Sequence, residues 1–168
     1  MSKWVFEDDC LAPRARITIE YRGTNPYDVI KRIVVILRTI FEIGSKDVWE
    51  RDFRWDNTSE PRNFYVRIYA NRGVDSRSKW LVETTFEGRQ PSDVRREGSL
   101  KISLGARLVT EFNRQNFFQN MPIYKFLLVL YRRTFYDEIR RNYLKMCREK
   151  VDQLSNELRS VLNIKEIK

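Results

Sequence analysis

The last third of the chain sets the tightest constraint on its fold. From Pro122 to about Leu162 runs one basic, helix-patterned segment. An uninterrupted helix of roughly forty residues is about 60 Å long, more than the width of a domain of 168 residues. Part of it, residues 137–168, is therefore expected to project as a helical extension or to pack on a second subunit. The segment carries Arg132, Arg133, Arg140, Arg141, Lys145, Arg148 and Lys150 among aromatic and aliphatic side chains. A long cationic helix on a chain of net charge +9 points to a polyanionic partner.

The length fits a single domain, 1–168, with one sizeable core. Apolar residues at 42% can build that core although 33% of the chain is charged. Of 32 basic residues, 22 are arginine, whose flat fork of donors matches phosphate and stacks on bases. Surface charge networks of heat-adapted proteins offer another reason for the charge density, but networks need both signs and explain the net excess less well. Two cysteines, Cys10 and Cys147, make neither a disulfide framework nor a metal cluster, and histidine is absent. The commonest metal ligand and the commonest general base are thus both missing. The start, Met1-Ser2-Lys3-Trp4, lacks an apolar signal region, and the longest apolar stretches are too short to span a bilayer. The expectation is a cytoplasmic protein with no membrane partner, no cofactor and no metal.

Ala15 to Arg22 alternates Ile17, Ile19 and Tyr21 against polar residues, which predicts a half-buried strand. Asn25-Pro26 then opens a helix that runs to about Ile43 and stops at Gly44. Four more strands are expected at Val48 to Asp56, Asn63 to Ala70, Lys79 to Glu87 and Ser99 to Phe112. The last has Gly105-Ala106 as a bulge or bend. The inner face collects Trp49, Phe53, Trp55, Phe64, Val66, Ile68, Trp80, Val82 and Phe86, with Arg51 intruding among them. The polar stretch Gly88 to Gly98 reads as a mobile loop. Consecutive strands with short links give an α+β fold: an antiparallel sheet of about five strands, one N-terminal helix and a long C-terminal helix. The C-terminal segment also reads as two helices, the first packing across the sheet through Phe126, Leu127 and Leu130. From Cys147 the apolar steps are four, three, four and three, through Val151, Leu154, Leu158 and Val161. This heptad seam either joins two copies in a homodimer or rests on its own domain.

Catalytic constellations are missing. Asp52 with Asp56, or Glu83 with Glu87, could form a carboxylate pair, but on a wet sheet face such residues usually answer cross-strand arginines. There is no phosphate-binding glycine loop, and no standard RNA-reader motif is present. The positive signal is arginine interleaved with aromatic rings. Tyr65, Arg67 and Tyr69 share one strand face opposite Phe64, Val66 and Ile68. Arginine holds phosphate, and exposed rings stack on unpaired bases.

The element order resembles the helix-grip arrangement of START-related lipid-binding proteins, and that resemblance implies a cavity for an apolar or amphiphilic ligand. The Arg-rich helix Tyr131 to Lys150, the missing catalytic groups and the seam resemble small basic archaeal ribosome-associated factors of the ribosome dimerization type. The leading expectation is a non-enzymatic, RNA-directed binding protein, dimeric, that silences or stores ribosomes. Its partner would be a structured RNA such as a ribosomal subunit. Its RNA-binding residues would be Arg132, Arg133, Arg140, Arg141, Lys145, Arg148, Arg67, Tyr65 and Tyr69. Its dimer interface would be Cys147, Val151, Leu154, Leu158 and Val161. A helix-grip binder of an apolar small molecule is the alternative, and a protein–protein adaptor the third.

Overall fold

The computed structural model describes residues 3–113, 122–134 and 136–164 (for Lys3, Asn113 and Arg132, the backbone only). In chain order these are β1 (Lys3–Asp9), β2 (Ile17–Thr24), α1 (Asp28–Phe41), β3 (Val48–Asp56), β4 (Arg62–Gly73), β5 (Ser78–Gln90), β6 (Glu97–Asn113), α2 (Pro122–Thr134) and α3 (Asp137–Val161). The class is α+β, as the periodicity predicts. The sheet is antiparallel throughout, in the order β1-β6-β5-β4-β3, with β2 also beside β6.

The additional strand is β1. Trp4, Val5 and Phe6 run directly into Glu7-Asp8-Asp9, and acidic residues are poor strand formers. β1 forms because the 17 residues of β6 outreach β2. The first half of β6 pairs with β2, from Thr24 opposite Glu97 to Ile17 opposite Leu104. Its second half pairs with β1, from Asp9 opposite Arg107 onward. Gly105-Ala106 is the junction between the two partners, and the register with β5 passes through it unbroken. The expected bulge lies elsewhere. It falls in β3, where the register with β4 jumps between Glu50 and Asp52 and Arg51 is the extra residue.

Helices α1 and α3 cover one sheet face. Val29, Ile33, Leu37 and Phe41 of α1 meet Phe64, Val66, Trp80 and Phe86, all buried in one cluster. Full burial of each such side chain stabilises by about 1.5–3 kcal/mol. Trp80 and Phe86, both fully buried, lie in the layer in which the helix-grip resemblance implies a ligand. α1 stops two residues earlier than the sequence suggests. Glu42, at φ 54°, turns the chain in the left-handed region, and Arg72 and Lys150 each hold its carboxylate at 3.1 Å.

Three expectations for the C-terminal segment need correction. First, α3 packs on the body and does not project; of the one-helix and two-helix readings of the segment, the two-helix one forms. Second, the heptad seam is intramolecular. Cys147, Val151, Leu154 and Leu158 are 0% exposed within one chain, against α1, β2 and β6, and Val161 packs half-buried on the same core. Cys147 is disulfide-bonded to Cys10, with Cα atoms 6.0 Å apart. A heptad spacing requires only one opposing apolar surface, and the sheet and α1 supply it. Third, α2 does not lie across the sheet: Ile123, Phe126, Leu127 and Leu130 are exposed.

The start of α3 is fixed by a polar cluster. The Tyr136 hydroxyl donates to Asp75 at 2.9 Å and accepts from the Ser78 hydroxyl at 2.6 Å; Ser78 in turn meets Thr110 at 3.2 Å. Asp75 sits in the β4–β5 turn, where its carboxylate also accepts the N–H groups of Arg77 and Ser78. The β5–β6 loop is shorter than the polar stretch suggests, because β5 continues to Gln90 and β6 begins at Glu97. Gln90 is buried and accepts the Tyr27 N–H at 3.2 Å.

Candidate nucleic-acid interface

The described helices all lie on one side of the sheet and leave its other face bare of helix among the described residues. Cross-strand registers line that face in rows. Arg54, Tyr65, Glu87 and Lys101 form one row across β3 to β6; Asp52, Arg67, Thr85 and Ser103 form the next; Trp49, Tyr69, Glu83 and Gly105 the third. The bulge at Arg51 creates the third row. Without it, Trp49 would keep the phase of Phe53 and Trp55 and point toward the core.

Two stacks of rings and guanidinium groups result. Tyr65 lies between Arg54 and Arg67, each guanidinium carbon 5.5 Å from its ring centroid. Tyr69 lies beneath Trp49, with centroids 5.8 Å apart and planes 13° from parallel, and Arg51 stands 5.5 Å from the same Tyr69 ring. Contacts of this kind are worth about 0.5–1 kcal/mol each at exposed sites.

The arginines differ in how fully they are engaged. Arg67 donates through Nε to the Tyr65 hydroxyl at 2.8 Å and reaches Asp52 at 3.6 Å and Glu83 at 3.8 Å. The Tyr65 hydroxyl, with Glu83 beyond it, raises the Arg67 pKa above its ordinary value. Arg16 pairs with Glu83 at 3.1 Å and Arg107 with Glu7 at 3.0 Å. Arg51 and Arg54 are exposed and, among the described residues, pair with no carboxylate. A groove of about 340 Å³ opens at Arg51, lined by Arg16, Arg51, Tyr69, Leu81, Glu83, Gly105 and Arg107, with Asp9, Ala15 and Ala106 completing it. It therefore offers three guanidinium groups, one of them without a counter-ion.

These positions revise the sequence expectations. Tyr65, Arg67 and Tyr69 do come together on the outer face, but Tyr69 is buried under Trp49 and Arg51, and Arg67 is held by its neighbours. Their part is to support the exposed layer. The exposed ring is Trp49, 41% accessible, which the alternation assigns to the core. Phe53 does face the helix side, yet β3 is an edge strand and leaves it 48% exposed. The signal for both was Arg51, whose charge was out of phase with an apolar face.

The helix cations do not form one patch. Arg140 bridges Asp8 at 3.0 Å and Asp137 at 2.6 Å, tying α3 to β1. Hydrogen bonding from Arg140, together with Arg141, holds Asp137 below the usual carboxylate range. Arg148 donates to the backbone carbonyls of Leu11 and Ala12, and Lys150 pairs with Glu42. Arg141 is exposed and pairs with Asp137 at 2.7 Å, while Arg133 and Lys145 are exposed. The Arg132 side chain lies outside the described residues. The acidic pairs take the structural role: Asp52 and Glu83 answer Arg67 and Arg16, and Asp56 accepts from Thr58 at 2.8 Å.

Among the described residues no helix is long and apolar enough to cross a membrane. No protein-family model matches the chain, and no curated protein matches it either.

Proposed function

We propose that this protein is a non-enzymatic RNA-binding protein whose contact surface is the bare sheet face. The observation that carries this reading is the exposed Trp49 indole, backed by Tyr69 and flanked by Arg51, with Arg54 two rows along the same face over Tyr65; among the described residues neither arginine has a counter-ion. An indole presents a π-face to any unpaired base, the Arg51 guanidinium beside it takes the adjoining phosphate, and Arg54 takes one further along the strand. The cross-strand ion pairs of Arg67 and Arg16 keep this layer rigid, so little side-chain entropy is lost on binding. Unpaired bases held within a structured RNA, as in a ribosomal subunit, suit a flat platform of this kind. One chain suffices, because the seam is closed within it.

Capture from native lysate with and without RNase tests the RNA partner, and sedimentation with purified ribosomal subunits tests the ribosomal one. RNase-sensitive capture of RNA is the expected result. Capture of proteins alone, unchanged by RNase, would remove RNA as the partner.

A further inference from the structure

Helix α2 carries the molecule's most unusual surface. Ile123 is 71% and Phe126 67% exposed, and Leu127 and Leu130 complete an outward stripe at i, i+3, i+4 and i+7 spacing. The opposite side holds the helix to the body through the buried Leu128 and through Lys125, whose ammonium lies 4.8 Å above the Trp4 ring. Four outward apolar side chains on one amphipathic helix demand an occupant.

Charge narrows the choice. Between Glu111 and Asp137 the sequence has four basic residues, Arg114, Lys125, Arg132 and Arg133, and no acid. That one stretch supplies four of the nine net positive charges. A second copy would bring like charge against like. The area is also too small for self-association. A helix of 13 residues is about 20 Å long and offers a face about 10 Å wide. Two such faces bury roughly 400 Å² together, against about 1,200–2,000 Å² for a stable interface. The same length falls short of the bilayer core of about 30 Å, so the helix cannot cross it. An apolar stripe with cations and no acid is the pattern of a helix that lies in the plane of a membrane interface.

We infer that α2 docks this protein on an anionic lipid surface, its Ile123–Leu130 stripe among the acyl chains and the exposed Arg133 at the headgroups. This inference is independent of the sheet face, because α2 lies on the helix side of the molecule.

The test is co-sedimentation of the full chain with phosphatidylcholine vesicles containing phosphatidylglycerol, and with vesicles of phosphatidylcholine alone. The wild type should bind the anionic vesicles and bind the neutral ones much more weakly. The double variant L127E/L130E should lose at least about tenfold in vesicle binding. Its melting temperature should change little and its RNA binding should be unchanged, since both residues are about half in water and lie away from the sheet face. R133E should lose about fivefold for the charge removed, with the reversal adding to that. Equal pelleting of wild type and L127E/L130E, or no pelleting with anionic vesicles, would overturn the inference. So would concentration-dependent self-association abolished by L127E/L130E without vesicle binding, which would make a second copy the occupant.

Discussion

Trp49 lies parallel on Tyr69 because Arg51 is an extra residue in β3. The bulge reverses the strand's facing between Glu50 and Asp52, so a tryptophan whose spacing belongs to the core is turned onto the bare face of the sheet. Bulges re-aim side chains at sheet edges and commonly mark sites of use. Here the result is an exposed indole with a buried tyrosine as its support.

Trp49→Ala should therefore lower RNA affinity by about 1–3 kcal/mol, the loss of one stacked base. Trp49→Phe should retain most of the binding. Thermal unfolding should change little in either variant, because the indole is already partly in water. Affinity by fluorescence anisotropy, set beside a melting curve, separates the two effects.

Salt dependence should follow the number of phosphates held. If Arg51 and Arg54 hold about two, the logarithmic slope for single-stranded RNA is about −1.4. Affinity then falls roughly sevenfold between about 50 and 200 mM salt. A flat salt profile would leave these arginines without phosphate partners.

Leu154→Asp should unfold the protein rather than separate two copies. Leu154 is 0% exposed in the seam beneath α3, and a carboxylate there has no partner. The combined loss of packing and burial of a charge costs about 3–5 kcal/mol. Circular dichroism should show lost helicity and a lowered melting temperature. A seam between two chains would instead give a folded, smaller species in sedimentation.

Tyr136→Phe removes a hydroxyl that serves both Asp75 and Ser78 and should destabilise by about 1–3 kcal/mol. It should also change the acid response. Burial works against the ionised form of Asp75, but the Arg77 N–H, the Tyr136 hydroxyl and the Ser78 N–H overcome it and hold its pKa below the ordinary value. A carboxyl with a depressed folded pKa contributes stability above its unfolded pKa and loses it as pH falls through the folded value. The wild type should thus lose more stability than Tyr136→Phe on acidification below the ordinary aspartate range. Denaturant midpoints measured across that range check both parts.

Five strands, α1 and the core rows Phe64–Val66–Ile68 and Trp80–Val82–Phe86 are legible in the sequence, because strict alternation identifies a half-buried strand. β1 is hidden, because its pairing depends on the reach of β6 and not on its own residues. The seam is visible as a spacing, but spacing does not say whose surface it meets. The site divides in the same way. The Tyr65-Arg67-Tyr69 face is correctly paired in sequence, yet one inserted residue decides that Trp49 and not Tyr69 is exposed. The basic helix is misleading for a different reason: Arg140, Arg148 and Lys150 find partners distant in sequence, in β1, in the segment after it and at the end of α1. Local charge density does not register those contacts.

Binding of a fluorescent single-stranded RNA by the wild type and by two matched variants tests the sheet face most directly. W49A/R51A/R54A removes the exposed ring and the two arginines without a counter-ion; R141A/K145A removes exposed cations from α3. With both variants folded by circular dichroism, the first should bind at least about thirtyfold more weakly and the second within about threefold of wild type. Equal losses in the two variants, or a larger loss from the α3 variant, would contradict a binding surface on the bare face of the sheet.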